Sequence, residues 1–204
     1  METKKYFPTV EAIENASRVL DEIIEPTPFM RNSNLSDLYD ADVYLKREDL
    51  QIVRSYKIRG AYNKIRSIEP EVLKYGIVCA SAGNHAQGVA LSCNKLQIMG
   101  SIFMPTTTPK QKIEQVRMFG KEYIDIVLTG DTFDAANAAA IEFAGKSGRT
   151  FIPPFDDPKV IEGQGTIGLE IMKQAKEPLD YIFIPIGGGG LASGLGAYIR
   201  QVSP

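Results

Sequence analysis

The spacing of apolar residues alternates along the chain between helical and extended periods. Residues 9–22 put Val10, Ile13, Ala16 and Leu20 on one helical face, and Pro26 and Pro28 break the pattern after it. A strand is predicted over 42–46. A helix from Ser55, with that serine as N-cap, turns Ile58, Tyr62 and Ile65 inward. Gly76 to Ala80 reads as a strand buried on both faces. It runs through Ser81-Ala82-Gly83-Asn84-His85 into a helix with Ala86, Val89, Ala90 and Cys93 facing the core. Strands over 98–103 and 123–128 enclose a helix opened by the capping box Thr108-Pro109-Lys110-Gln111 and stopped by Gly120. Asp131 caps a helix whose inner face is Phe133, Ala136, Ala140 and Phe143. A strand at 150–152, a helix around 164–176, a strand at 181–186 and a helix from residue 190 onward complete the pattern.

Continuous apolar strands alternating with helices define an α/β fold, a doubly wound and mostly parallel sheet covered by helices on both faces. The stretch Pro153-Pro154-Phe155-Asp156-Asp157-Pro158 reads as a connection between two lobes.

Composition narrows the picture. With 204 residues, 44% hydrophobic and 24% charged, the chain is an ordinary globular one, and its net charge of -2 offers nothing to nucleic acid or an anionic membrane. No apolar run reaches the length of a membrane span, and the charged start from Met1 to Tyr6 lacks a signal-peptide core, so a cytoplasmic protein is expected. Cys79 and Cys93 lie in apolar surroundings and read as buried free thiols of a reducing compartment. His85 is the only histidine, which excludes His-Glu-x-x-His zinc sites and leaves one imidazole for any Ser-His-Asp triad. No metal ligand set is assigned.

Three loops carry the candidate chemistry. In doubly wound sheets ligands bind beyond the carboxyl ends of the strands, where loops enter helices. In Ser55-Tyr56-Lys57-Ile58-Arg59-Gly60-Ala61 a lysine stands just inside a helix start behind an aromatic ring; withdrawn from water, its amine loses its proton and forms a Schiff base with an aldehyde cofactor. In the Ser81–His85 turn, small residues and a helix N-terminus suit an anion such as a carboxylate, and the Asn84 amide suits a phenolate oxygen. Gly187-Gly188-Gly189-Gly190-Leu191 leaves the backbone free to wrap a phosphate. Pyridoxal phosphate needs one of each: an aldehyde partner, a phenolate donor and a phosphate site. Two other motifs compete. Gly187, Gly189 and Ala192 satisfy a dinucleotide fingerprint of the form G-x-G-x-x-A, a weak match by itself. Gly145-Lys146-Ser147 resembles the end of a triphosphate loop, but Ala140 stands where that loop needs glycine.

These segments, with Lys46-Arg47-Glu48-Asp49-Leu50, Ser81 to Gly88 and Glu162-Gly163-Gln164-Gly165-Thr166, resemble the serine/threonine dehydratase family of tryptophan-synthase-β-like (fold type II) pyridoxal-phosphate enzymes, threonine dehydratases in particular. The motifs occur in family order across essentially the whole chain. The resemblance implies that Lys57 attaches the cofactor and moves protons as the catalytic base. Tyr56, where many members have Phe, then lies near the cofactor ring. Asn84 holds the phenolate oxygen, Gly187 to Leu191 hold the phosphate, and Ser81, Ala82, Gly83, Asn84 and His85 hold the substrate carboxylate, with His85 serving loop geometry. It implies β-elimination from L-threonine to 2-oxobutanoate and ammonia, the first step of isoleucine biosynthesis, with L-serine as a second substrate. Related serine racemases carry a second serine at the position of Ala82; alanine there favours dehydratase over racemase. A homo-oligomer, dimer or tetramer, is implied too.

Family catalytic domains continue past the tetraglycine loop, whereas this sequence stops at Pro204. The resemblance therefore implies a small lobe over 50–156 and an incomplete large lobe made of 1–49 and 157–204. Unpaired strands and uncovered apolar faces are expected to make such a piece aggregation-prone or dependent on a partner. Two alternatives stand beside the enzyme: an inactive fragment that only binds pyridoxal phosphate, and a dinucleotide-binding module built on Gly187 to Ala192. Biosynthetic and catabolic parents both fit this stretch.

Overall fold

The structure, a computed structural model, describes residues 6–203; the charged start before Tyr6 and Pro204 lie outside the described residues. Helix α1 (Val10–Leu20) forms where the apolar period predicts it. The Thr9 hydroxyl accepts from the Ala12 N–H, and Ile13, Ala16 and Leu20 are buried. A short strand β1 (Phe29–Arg31) and helix α2 (Ser33–Tyr39), capped by Asn32, lead to β2 (Tyr44–Lys46). β1 and β2 pair antiparallel, with Met30 opposite Leu45. Of these the sequence pattern predicted only β2. The others are too short to show a period.

A 3-10 turn (Glu48–Leu50) and an irregular loop enter α3 (Lys57–Arg66). The expected cap does not form. Tyr56 occupies the cap position, and the Ser55 hydroxyl is buried without a partner among the described residues. Tyr56 already has helical φ and ψ, so the helix needs no serine in extended geometry to start it. The short helix α4 (Pro70–Leu73) precedes β3 (Ile77–Ala80), which is buried throughout. Then come α5 (Asn84–Leu96), β4 (Gly100–Met104), α6 (Lys110–Gly120), β5 (Ile124–Leu128), α7 (Phe133–Ser147) and β6 (Thr150–Phe151). Two further caps differ from expectation. Pro109 itself caps α6, leaving the buried Thr108 hydroxyl unpartnered, and Thr132 rather than Asp131 caps α7 by accepting from the Ala135 N–H.

The four strands form one parallel sheet in the order β5-β4-β3-β6. Alternation along β3 divides its side chains between two layers. Ile77 and Cys79 join Ala86, Val89, Ala90, Cys93 and Ile113 under α5 and α6, whereas Val78 and Ala80 pack with Phe103, Ala140 and Ala144 under α7. Phe133, expected on that inner face, is exposed, and Phe143 is only half-buried; Ala136, Ala140 and Ala144 line the contact because small residues let α7 approach the strands. Cys79 and Cys93 are buried and free, and burial pushes both thiols up, Cys93 to about 12.

The segment over 153–158 is only partly a connection. Asp157 accepts from the Lys159 and Val160 N–H groups (2.8 and 3.2 Å), and Pro158 opens α8 (Pro158–Gln174) at its first position, well before the expected start at 164. α8 packs against α3, α1 and the last helix, α9 (Gly190–Val202). Gly163 permits that approach, since a Cβ there would lie 2.5 Å from the Arg59 carbonyl oxygen. The predicted strand over 181–186 does not form. Its side chains do alternate: Ile182 and Ile184 pack toward α8 and α9, while Tyr181 and Phe183 are 83% and 92% exposed. No described strand pairs with it, so its backbone joins no ladder.

Candidate active site

Lys57 is the first residue of α3, where the loop before the helix holds its side chain half-buried. Its Nζ donates to the Pro154 carbonyl oxygen at 2.7 Å and lies 5.6 Å from the centre of the Tyr56 ring. Burial lowers the ammonium below its ordinary range, with no carboxylate opposing it. A shift in this direction favours the nucleophilic free amine.

The glycine loop meets this lysine. A narrow cleft is lined by Tyr56, Lys57, Pro154, Phe155, Gln164, Pro185 and the run Gly187 to Leu191. Gly189 has φ +86°, a conformation that L side chains resist, and it caps α9. A Cβ at Gly188 would overlap the Phe155 ring, and one at Gly190 would lie 2.8 Å from the Phe155 carbonyl oxygen. Only glycine lets this loop close over Phe155. The first N–H groups of α9 lack partners within the helix and open on the same loop, an arrangement suited to an anion. A depressed lysine amine and a glycine cradle therefore share one cleft, which fits the aldehyde and the phosphate of pyridoxal phosphate.

The Ser81–Asn84 segment stands apart from the lining of that cleft. Asn84 is exposed at the start of α5, Gly83 caps the helix, and the Ser81 hydroxyl accepts from the Gly83 N–H at 3.1 Å. α5 nevertheless abuts the lysine, because a Cβ at Gly88 would lie 3.1 Å from the Lys57 carbonyl carbon. His85 is buried, its Nε2 3.0 Å from the Ile152 carbonyl oxygen. Burial, with a smaller contribution from the Lys57 charge, lowers its pKa to about 4, so the imidazole is neutral at physiological pH. This ring ties α5 to the end of β6 and does not titrate where a catalyst would.

Three parts of the site were missed in the sequence. Pro154 and Phe155 read as linker, and only the fold brings them to the lysine. Gln164 lies on the opposite side of the chain's middle from Lys57 in sequence yet lines the same cleft. The third is an ion network behind the lysine. Arg59, 0% exposed, donates Nε and Nη2 to Glu48 (2.9 and 2.7 Å) and Nη1 to Glu170 and Thr166 (2.6 and 3.0 Å). Lys46 joins through Glu170, the Thr27 carbonyl and Gln174. Burial alone would raise the Glu170 carboxyl, but its hydrogen bonds from Arg59 and Lys46 prevail and hold it below the usual range.

With this geometry in hand, the comparisons define the class. Residues 20–204 match the family described as pyridoxal-phosphate dependent enzymes, and the chain belongs to that family. It is 56% identical over 195 residues to a protein of Halalkalibacterium halodurans named L-threonine dehydratase biosynthetic IlvA, an alignment covering 96% of this chain and 47% of that protein. A Bacillus subtilis protein of the same name is 52% identical, with 96% and 46% covered. Among solved structures, the processed form of threonine deaminase isoform 2 from Solanum lycopersicum superposes with a TM-score of 0.88 at 43% identity, covering 98% of this chain and 59% of that one. Maize serine racemase superposes with a TM-score of 0.92 at 30% identity, with 98% and 59% covered. The chain thus spans about half the length of the curated relatives it matches.

Proposed function

We propose that the protein carrying this chain is an L-threonine ammonia-lyase that forms 2-oxobutanoate and ammonia in isoleucine biosynthesis and also accepts L-serine. One observation carries the reading. The lysine with the depressed amine and the glycine loop share a cleft in a chain 52–56% identical to biosynthetic threonine dehydratases. Bound pyridoxal phosphate supplies an aldehyde for the lysine amine and an electron sink for the carbanion formed at the substrate Cα.

The chain's own residues do the rest. Lys57 would hold the cofactor through Nζ, and the same nitrogen, once free, would take the Cα proton, which leaves with the β-hydroxyl as the elements of water. The Pro154 carbonyl holds that nitrogen at the mouth of the cleft. Gly187 to Leu191 bind the phosphate through backbone N–H groups, and Tyr56 flanks the ring. Asn84, outside the lining of that cleft but at the head of the helix that abuts Lys57, would donate to the phenolate oxygen, and the turn from Ser81 to His85 would orient the substrate carboxylate at the α5 N-terminus. Ala82 offers no hydroxyl to return a proton from the opposite face, which favours elimination over racemisation. Serine remains a substrate because the missing methyl group changes binding by only about 1–3 kcal/mol.

The sheet with α5, α6 and α7 belongs to a small lobe over 50–156, and 1–49 with 157–204 belong to a large lobe. α1 packs with α8 and α9 inside the proposed large lobe, and α3 packs on α8 across the boundary between the two. No described helix is long and apolar enough to cross a membrane. A cytoplasmic homo-oligomer, dimer or tetramer, completes the proposal.

The test is direct. The protein is mixed with pyridoxal phosphate, reduced with borohydride and mapped by peptide mass. A phosphopyridoxyl group on Lys57, together with 2-oxobutanoate from threonine, is expected. Label without product would leave a protein that only binds the cofactor, and absence of label on Lys57 would overturn the assignment altogether.

A further inference from the structure

The four residues from Ile152 to Phe155 join the separate parts of the candidate site. The Ile152 N–H donates to the Val78 carbonyl at 2.8 Å, which fixes the stretch to β3. The Ile152 carbonyl oxygen lies 3.0 Å from Nε2 of His85, at the head of α5 beside the Ser81–Asn84 turn. Two residues later the Pro154 carbonyl accepts from Lys57 Nζ at 2.7 Å. The next residue, Phe155, meets the glycine loop. The atoms nearest to a Cβ at Gly188 are Cδ1, Cγ and Cε1 of its ring, at 2.3, 2.3 and 2.6 Å. Those nearest to a Cβ at Gly190 are its carbonyl oxygen, Cα and Cβ.

This stretch is stiff and anchored at both ends. Proline rings lock φ at Pro153 and Pro154. Beyond Phe155, Asp157 caps α8 and pairs with Lys64 of α3 at 2.7 Å. The glycine loop has no side chain of its own before Leu191, and a Cβ at Gly187 or Gly189 would meet nothing within 4 Å. Its backbone rests on Phe155 at Gly188 and Gly190 instead. The Phe155 ring is 38% exposed, so it covers the loop without being locked into the core. We propose that residues 152–155 are a strut that sets the phosphate cradle at a fixed place relative to Lys57, with Phe155 as the positioning residue that holds the glycine loop. The purpose of the strut rests on the reading of Lys57 and this loop as the two anchors of pyridoxal phosphate; the packing itself does not.

A preset cradle binds phosphate without first ordering four glycines, the residues that lose most conformational freedom when fixed. Without the ring, the ligand itself must order the loop, and N–H groups aimed at the phosphate fall out of place. Losing one such contact to a charged group weakens binding about tenfold or more. The aldehyde end escapes this loss, because the acceptor that holds Lys57 is the Pro154 backbone carbonyl and survives any change of the Phe155 side chain. A ring that stacked on the cofactor, or that only supported the lobe, would act on both ends of the cofactor alike.

The experiment compares pyridoxal phosphate with pyridoxal, which has the aldehyde and lacks the phosphate, on the cofactor-free protein carrying this chain. The half-saturating concentration for borohydride-trapped label on Lys57 is measured by peptide mass in wild type, Phe155→Ala and Phe155→Tyr. The ratio of the two concentrations isolates the phosphate. Phe155→Ala should raise the value for pyridoxal phosphate about tenfold or more and leave that for pyridoxal within about twofold. Phe155→Tyr keeps the ring and should keep the wild-type ratio. An equal loss for both compounds, an unchanged ratio in Phe155→Ala, or a Phe155→Tyr variant as impaired as Phe155→Ala overturns the proposal. If Phe155→Ala does not fold, Phe155→Leu is judged by the same ratio and the same outcomes. No label on wild-type Lys57 from either compound would sink the cofactor reading too, whereas label with an unchanged ratio sinks the strut alone.

Discussion

Lys57 and Arg59 are neighbours on α3, both are withdrawn from water, and the fold treats them in opposite ways. Arg59 is enclosed by Glu48 and Glu170, with Lys46 balancing the second carboxylate. Every charge there has a partner, which is how a buried ion cluster becomes scaffold. Lys57 receives one carbonyl and no carboxylate, and its ammonium is weakened by burial. The paired cation joins the 3-10 turn, α3 and α8. The unpaired one remains available for chemistry. One helix thus carries a structural charge and a reactive one, and what separates them is the company each keeps.

The strongest way to break this comparison is at Lys57. Lys57→Ala should remove borohydride-stable cofactor attachment and lower threonine turnover by about a thousandfold or more, since a positioned acid–base group typically contributes factors of this order. Its melting temperature should stay near wild type, because no ion pair is lost. Unchanged turnover would end the catalytic reading.

Arg59 should behave in the reverse manner. Arg59→Met leaves Glu48 without its cation and Glu170 with Lys46 alone, and denaturant titration should show a loss of about 3–5 kcal/mol. A loss within experimental error would mean that the network is ornamental.

His85 provides a pH signature between these extremes. Its folded pKa of about 4 lies below the ordinary 6.5, so the unfolded chain binds more protons across that window. Stability is then fully present above the unfolded value and falls as pH drops from 6.5 toward 4, by about 3 kcal/mol in total. His85→Asn should flatten this slope in denaturation curves collected across the window.

The smallest effect is expected at the cradle. Gly188→Ala must displace the Phe155 ring, and overpacking of this kind costs about 1–3 kcal/mol. It should appear as roughly tenfold or greater weakening of pyridoxal phosphate binding, while Gly145→Ala, where a Cβ also meets nothing within 4 Å but which lies outside the cleft, should bind normally.

Several of these features were legible in the chain itself. The faces of α1 and α3, the strand β3 and the helix it feeds follow from periodicity, because burying an apolar stripe is a local requirement with a fixed spacing. Caps were harder. Ser55, Thr108 and Asp131 all had suitable side chains, yet backbone geometry at Tyr56, Pro109 and Thr132 decided the helix starts. The early start of α8 was signalled by Asp157-Pro158, an N-cap followed by proline at the first helical position, but the surrounding prolines made the segment look like linker.

The site divides in the same manner. The lysine, the Asn84 turn and the glycine loop are each contiguous in sequence, so residue types and order were enough to propose pyridoxal phosphate and the doubly wound α/β frame that carries it. Which of them share a cleft, that Phe155 closes the glycine loop, that Gln164 lines the cleft, and that 181–186 alternates without joining a sheet depended on contacts between segments far apart in the chain. Local spacing selects a helix, a strand or a turn, because those energies act over a few residues. Burial, pairing and the weakening of a lysine's hold on its proton depend on what is brought alongside, and that is decided by tertiary packing.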